Sequence, residues 1–209
     1  MTRKPTEQEA FWKGEFGDAY VDRNRSQRLL AANIHFFSRI LERTGPVASI
    51  LELGANIGMN LRALRHLLPE AELAGVEINA RAVEELRAWD GRAEVHHASI
   101  LDFQPARTHD LTLIKGVLIH INPDDLGGIY DLLVRASSRF ICIAEYYNPS
   151  PVELPYRGHS GKLFKRDFAG ELLDRHPGTT LVDYGFAYHR DPLFPQDDIT
   201  WFLLEKRTP

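Results

Sequence analysis

The sequence predicts an α/β protein built on a doubly wound, mostly parallel sheet. Three observations lead there. From residue 47 onward, short apolar runs alternate with amphipathic stretches at a regular interval. The first run, in ASILELGANIGMN (48–60), ends in an acid and a glycine, with a second glycine four residues on. The chain is 209 residues long and 44% hydrophobic, enough to bury one substantial core.

Taken in order, residues 6–15 read as a short helix opened by Thr6, with Glu9 completing a capping box. The next ten residues, FGDAYVDRNR (16–25), are dense in aromatic and charged groups and suit neither a strand nor a helix. Such a segment folds over a ligand as a lid, or serves as a polar connector held by Phe16 and Tyr20. Over 26–43, Leu29, Leu30, Ile34, Phe37, Ile40 and Leu41 recur at spacings near three and four. They predict an amphipathic helix packed on the sheet and stopped at Gly45-Pro46. Strands are expected near 48–53, 72–76, 93–97, 110–115 and 139–144, with helices near 58–68, 79–89 and 123–136. After Tyr146 the pattern breaks into an irregular stretch, YNPSPVELPYRGHSGKLF, rich in Pro, Gly and Tyr. A helix near 165–175 and strands near 180–187 and 199–205 close a sheet of about seven strands, the last one antiparallel. One domain spans 1–209: a helical cap or lid over 1–45, a binding core over 46–145, and a substrate loop with closing strands over 146–209.

Composition removes several function classes. The net charge of −4 lacks the basic footprint of a nucleic-acid-binding protein. The single Cys142 lies in the apolar run RFICIA, so it reads as a buried thiol and leaves no disulfide framework or Cys-based zinc site. No metal is expected. The opening MTRKPTEQEAFW has no apolar signal-like core, and no apolar run approaches the length of a membrane span. A cytoplasmic protein with no membrane partner is the expectation.

The order strand, acid, glycine loop, helix places a nucleoside-type ligand at the carboxyl end of a parallel sheet. Gly54 permits backbone angles that a side chain forbids, and Gly58 allows close approach of a ligand. A dinucleotide site would use G-x-G-x-x-G, but its third glycine falls on Met59 and its middle one on Asn56. An NAD-dependent oxidoreductase is therefore disfavoured. What stands here, E-x-G-x-N-x-G from Glu52, resembles the first motif of class I S-adenosylmethionine (SAM) methyltransferases with one glycine changed.

The other chemistry-bearing residues fall at strand ends. Glu77 ends the second strand nineteen residues past Gly58, followed by Ile78, and an acid there can accept both ribose hydroxyls. The third strand delivers Ser99 and Ile100. The fourth, DLTLIK, delivers Lys115 and Gly116 and leads to His120. His120 is a candidate general base, since imidazole titrates near neutral pH, or a structural residue orienting the next helix. Asn122 before Pro123 reads as a helix N-cap. The fifth strand ends in Glu145, Tyr146 and Tyr147, and the stretch after it adds Tyr156, Arg157, His159 and Lys162. Cations beside aromatics suit a carboxylate or phosphate on a polar substrate. Lys165, Arg166 and Asp167 read more plainly as a helix start, and Asp197 and Asp198 as rim charges or turn residues.

Together these segments support a family resemblance. Over about 47–145 the chain resembles class I SAM methyltransferases, which have a Rossmann-like sheet. FGDAYVDRN, ILELGANIGMNL, KGVLIHINPDDL, EYYNPSPVELPYRGHSGKLFKRDF and YGF…DDITWFLLEK resemble a narrower group spanning nearly the whole chain, the pseudaminic-acid-biosynthesis-associated methylases. The resemblance implies SAM as cofactor, converted to S-adenosylhomocysteine (SAH), held by Tyr20, Glu52, Gly54, Asn56, Gly58, Glu77, Ile78, Ser99, Ile100, Lys115 and Gly116. In many relatives an Asp at the Ser99 position bonds the adenine amino group, and Ser99 offers a weaker version of that contact. His120, then Glu145, are the expected bases. Tyr146, Tyr147, Tyr156, Arg157, His159 and Lys162 are expected to meet the acceptor. The implied reaction moves a methyl to oxygen or nitrogen of a small polar molecule, foremost a nonulosonic acid sugar or its nucleotide-activated form. An amino acid, amine or secondary-metabolite scaffold is the alternative acceptor, and a non-catalytic SAM-binding module a third reading. A monomer or homodimer serves any of these.

Overall fold

The computed structural model describes residues 3–23 and 25–207. Its elements run α1 (Glu7–Lys13), α2 (Glu15–Val21), α3 (Gln27–Leu41), β1 (Ser49–Leu53), α4 (Met59–Leu67), β2 (Glu72–Glu77), α5 (Ala80–Trp89), β3 (Glu94–His97) and β4 (His109–Lys115). They continue through α6 (Leu126–Ala136), β5 (Ser137–Glu145), β6 (Val152–Tyr156), β7 (His159–Lys165), α7 (Phe168–Arg175), β8 (Thr179–Ala187) and β9 (Ile199–Lys206). Seven strands form one sheet in the order β3-β2-β1-β4-β5-β9-β8. Neighbours from β3 to β5 are parallel, and β9 runs antiparallel to both β5 and β8. Chain order reverses between β1 and β4, the switch point beside which ligands bind in such sheets.

Alternation along the central strands divides the core into two layers. Leu51, Leu53, Ile114 and Ile143 pack against Ile129, Leu133 and Leu172 of α6 and α7. Ile50, Leu113 and Cys142 face Phe37, Ile40 and Leu61 of α3 and α4. All of these are essentially inaccessible, and each such aliphatic or aromatic side chain contributes roughly 1.5–3 kcal/mol by burial. The layers hold the carboxyl ends of β1, β2, β4 and β5 along one edge. Among the described residues, no helix is long and apolar enough to cross a membrane.

Two expectations are overturned. Residues 16–21, read as neither helix nor strand, belong to α2. Gly14, in an extended conformation, separates it from α1. Tertiary contacts override the weak local propensity: the Asn79 side chain donates to Asp18 Oδ1 at 2.8 Å, and Arg81 donates to the Asp18 carbonyl at 3.0 Å. Gly17 allows the two helices to meet, since a Cβ there would fall 1.8 Å from the Trp12 carbonyl oxygen. The stretch read as irregular after Tyr146 contains the antiparallel hairpin β6–β7, with Tyr156 paired to His159. Its two-residue turn, Arg157-Gly158, has φ of 49° and 87°, and positive φ at both positions suits hairpin loops of this length. Pro155 is tolerated because β6 pairs on one side only.

Candidate active site

The loop after β1 turns three times through left-handed backbone, at Gly54 (φ 79°), Asn56 (φ 48°) and Gly58 (φ 79°). Asn56 thus occupies a conformation that glycine adopts freely and that asparagine tolerates best among side-chain-bearing residues. Its N–H donates to Glu77 Oε2 at 2.7 Å, while the Asn79 N–H donates to Glu77 Oε1 at 2.8 Å. One carboxylate therefore ties the glycine loop to the end of β2. Burial pushes the Glu77 pKa up, against the pull of those backbone donors.

Gly58 is placed differently from expectation. A Cβ on it would lie 2.3 Å from Leu86 Cδ1, so its role is close packing on α5, and it does not line the cavity. A Cβ on Gly54 would fall 2.5 Å from Val117 Cγ2. At Gly116 (φ 67°) nothing lies within 4 Å of the missing Cβ, leaving an open cradle on the cavity wall.

A cavity of about 480 Å³ runs along this edge beneath α1 and α2, a size typical of small-molecule sites. Of the predicted cofactor residues, Tyr20, Gly54, Asn56, Glu77, Ile78, Ser99, Ile100, Lys115 and Gly116 line it. Glu52 lies beneath, fully buried, and accepts from Asn60 Nδ2 at 2.6 Å. Its second oxygen has no hydrogen-bond partner among the described residues, and burial pushes the carboxyl up to about 8. Burial also lowers the pKa of Lys115, although Glu52, Asp197 and Glu145 favour its charge. Just past the third strand, Ser99 lies near the carboxylate of Glu9, itself in the cavity wall. Burial raises the Glu9 pKa, but donors from Arg3, Ser99 and the Thr6 backbone outweigh it and hold the group at about 2.

At the other end, His120 is buried with Nδ1 2.6 Å from the Lys162 carbonyl oxygen. A carbonyl only accepts, so Nδ1 carries the proton and Nε2 the lone pair in the neutral ring. Burial holds the imidazole near 4, despite the Lys162 bond. The Trp12 and Tyr156 rings pack on either flank, at 4.7 and 4.8 Å between centroids.

The predicted acceptor residues divide. Tyr146, Tyr156 and Arg157 line the cavity; Tyr147, His159 and Lys162 do not. Tyr147 is 42% exposed and packs on Phe202, and His159 meets Phe11 and Phe16. The Lys162 ammonium turns to Glu7 and the Phe11 ring, so only its backbone serves His120. Glu145 is also outside the lining. Its Oε1 accepts from the Val117 and Leu118 N–H groups, both at 2.9 Å, bracing the turn after β4. Asn122 caps the turn at Pro123–Asp125, and Asp167 caps α7. Asp197 reaches the cavity, whereas Asp198 bonds His189.

Sequence reasoning missed Trp12, Arg23 and the buried pair in which Gln196 donates to Asn33 at 2.9 Å, all in the lining. The aromatic density of the first twenty residues was the available signal for Trp12. Nothing local marks Asn33, which lies mid-helix.

The residues fit a sulfonium nucleoside. The loop cradle, the acid at the end of β2 and the open wall at Gly116 lie along one continuous edge, with the Glu52 carboxylate buried beneath it.

No family model and no curated protein matches the chain. Solved structures do. The 1,6-didemethyltoxoflavin-N1-methyltransferase of Burkholderia thailandensis, with its substrate and SAH bound, superposes with a TM-score of 0.74 at 17% identity, covering 100% of this chain and 92% of that one. The plantazolicin methyltransferase BpumL in complex with SAH gives a TM-score of 0.66 at 16% identity, covering 96% and 94%. Magnesium protoporphyrin IX methyltransferase from Synechocystis PCC 6803, with SAM bound, gives 0.64 at 12% identity, covering 99% and 100%. Strand order, the antiparallel β9 and these superpositions agree: the chain has the class I methyltransferase fold.

Proposed function

We propose that the protein is a SAM-dependent methyltransferase acting on oxygen or nitrogen of a small polar acceptor. The observation that carries this reading is the Glu77 carboxylate binding the glycine loop and the end of β2 at a cavity that also holds His120. When bound, SAM supplies a methyl group already activated for transfer on a sulfonium.

The chain's own residues then need to bind, align and manage one proton. Glu77 offers acceptor oxygens to the ribose, and Ile78, Ser99 and Ile100 enclose the base. Tyr20, Asn56, Lys115 and Gly116 border the path of the methionyl tail. Trp12, Tyr146 and Tyr156 wall the acceptor against His120. Alignment of two reactants in a fixed geometry can supply roughly 7–11 kcal/mol at its limit. For a hydroxyl acceptor, the oxygen gains the methyl and its proton passes to His120 Nε2. An amine acceptor needs less help from a base.

For the acceptor we favour a nonulosonic, pseudaminic-type acid or its nucleotide-activated form, on the strength of the sequence resemblance and of Arg157 at the cavity. The test is mass spectrometry of reactions with SAM and a panel of free and nucleotide-activated nonulosonic acids, amino acids and simple amines. A single added methyl on a sugar acid supports the proposal. Methylation confined to an amine, amino acid or natural-product scaffold would replace the sugar with the alternative acceptor. SAM binding without any product would favour a binding module.

A further inference from the structure

Two arginines at the cavity stand apart from the ion pairs of the described residues. Arg23, just past α2, and Arg157, at the turn of the β6–β7 hairpin, both line it. Among the described residues neither makes an ion pair. Other arginines close by differ: Arg25 and Arg81 are both engaged by Asp22. That carboxylate, next to Arg23 in sequence, is thereby occupied. The Arg23 guanidinium instead lies 5.8 Å from the Phe16 ring centroid, and that of Arg157 lies 5.7 Å from the Tyr156 ring. These two rings are 5.9 Å apart. Two segments distant in sequence thus bring a pair of ring-supported cations to one opening.

The backbone adds an independent sign. Arg157 holds φ at 49°, a conformation that glycine or asparagine would adopt with less strain. A large cationic side chain kept at such a position points to a use for that side chain. The charges deeper in the cavity sharpen the argument. Glu9, Glu77 and Asp197 are carboxylates in its wall, and the one ammonium there, Lys115, already lies among Glu52, Asp197 and Glu145. Beyond the cofactor, an anionic group on the acceptor therefore finds uncompensated positive charge at these two arginines rather than at Lys115.

Resting on the methyltransferase reading, we infer that Arg23 and Arg157 form a two-armed clamp for a phosphate or diphosphate on the acceptor. One guanidinium fork satisfies a carboxylate, whereas two converging forks match a dianion with more acceptor oxygens. The acceptor is then a phosphorylated or nucleotide-linked molecule, its anion at the mouth and its reacting group inward near His120.

The test uses calorimetry on the full chain, with and without saturating SAH. Glucose 1-phosphate and inorganic pyrophosphate are the phosphate probes, and glucuronate presents a carboxylate on a similar ring. The phosphate probes are expected to bind more tightly than glucuronate. Their affinity should fall roughly tenfold in Arg23→Ala and in Arg157→Ala, with SAH affinity unchanged in both. Equal phosphate binding in variants and wild type overturns the clamp, and tighter binding of glucuronate overturns the phosphate assignment. Weakened SAH binding in Arg23→Ala alone gives that arginine to the cofactor's carboxylate and also overturns the clamp. Failure of SAH to bind the wild type would sink the cofactor reading instead, while the probes on SAH-free protein still report on the clamp.

Discussion

The imidazole of His120 donates from Nδ1 to the backbone carbonyl of Lys162, 2.6 Å away, across the interface between the turn after β4 and strand β7. The bond fixes the tautomer and leaves Nε2 as the basic atom. His120→Ala should retain SAH binding in calorimetry and lose turnover by roughly 10²–10⁴-fold if the acceptor is a hydroxyl. Lys162→Met should turn over normally, because the carbonyl rather than the ammonium does the orienting. Normal turnover in His120→Ala would make the histidine structural.

Acid should weaken the fold through the same residue. Its pKa is held near 4 in the folded protein against 6.5 as the ordinary value. Between those two values the unfolded chain binds more protons, so stability falls as pH drops from about 6.5 to about 4. The whole effect is at most about 3–4 kcal/mol. Urea titrations of wild type and His120→Gln across this window should show a shallower pH slope in the variant. Parallel slopes would contradict the assignment.

Glu77→Ala removes the acceptor for the Asn56 and Asn79 N–H groups as well as the proposed ribose contact. SAM affinity should fall more than tenfold, with some loss of stability, since each buried donor left unsatisfied costs roughly 1–3 kcal/mol. Calorimetric titration reads the first effect and denaturant unfolding the second. Undiminished SAM affinity would remove Glu77 from the site.

Asn56 can be tested through its backbone. Asn56→Gly should keep the loop and bind SAM nearly as well, because glycine adopts φ of 48° without strain. Asn56→Val should destabilise the protein by about 1–2 kcal/mol, since a β-branched residue resists that region. A thermal melt ranking Val at or above Asn would refute the argument.

Glu145 separates bracing from proton transfer. Glu145→Gln keeps an oxygen for the Val117 and Leu118 N–H groups and should retain most turnover. Glu145→Ala should lower stability by roughly 1–3 kcal/mol. Loss of turnover in the Gln variant with its fold intact would restore Glu145 as a base.

The parts legible in the sequence are those governed by short-range pattern. The runs around Ile50, Leu113 and Ile143 are rich in aliphatic residues on both faces because both faces of their strands are buried, and runs of that kind announce a parallel sheet. Glu77 was legible because its spacing from the loop follows from one strand-helix-strand unit. Helix α2 was hidden because its partners, Asn79 and Arg81, lie some sixty residues away. The hairpin was hidden because Pro155 and a two-residue turn with arginine in it disguise the strands. His159 and Lys162 suit the site by proximity in sequence alone, yet the His159 ring packs on Phe11 and Phe16 and the Lys162 ammonium turns to Glu7. Glu145 looked catalytic for its position at a strand end, and only the three-dimensional structure shows its carboxylate under the Val117 turn.

The cover of the cavity has a consequence for how the chain is made. Gln8 of α1 donates to the Gly161 carbonyl of β7, a bond across 153 positions, and Phe11 and Phe16 of the same cover meet His159 and Tyr156. A chain emerging from the ribosome therefore exposes those two phenylalanines long before the hairpin that shelters them is translated. Until then the growing chain carries an oily patch at this segment, the kind of surface that chaperones hold and that unfinished chains aggregate through.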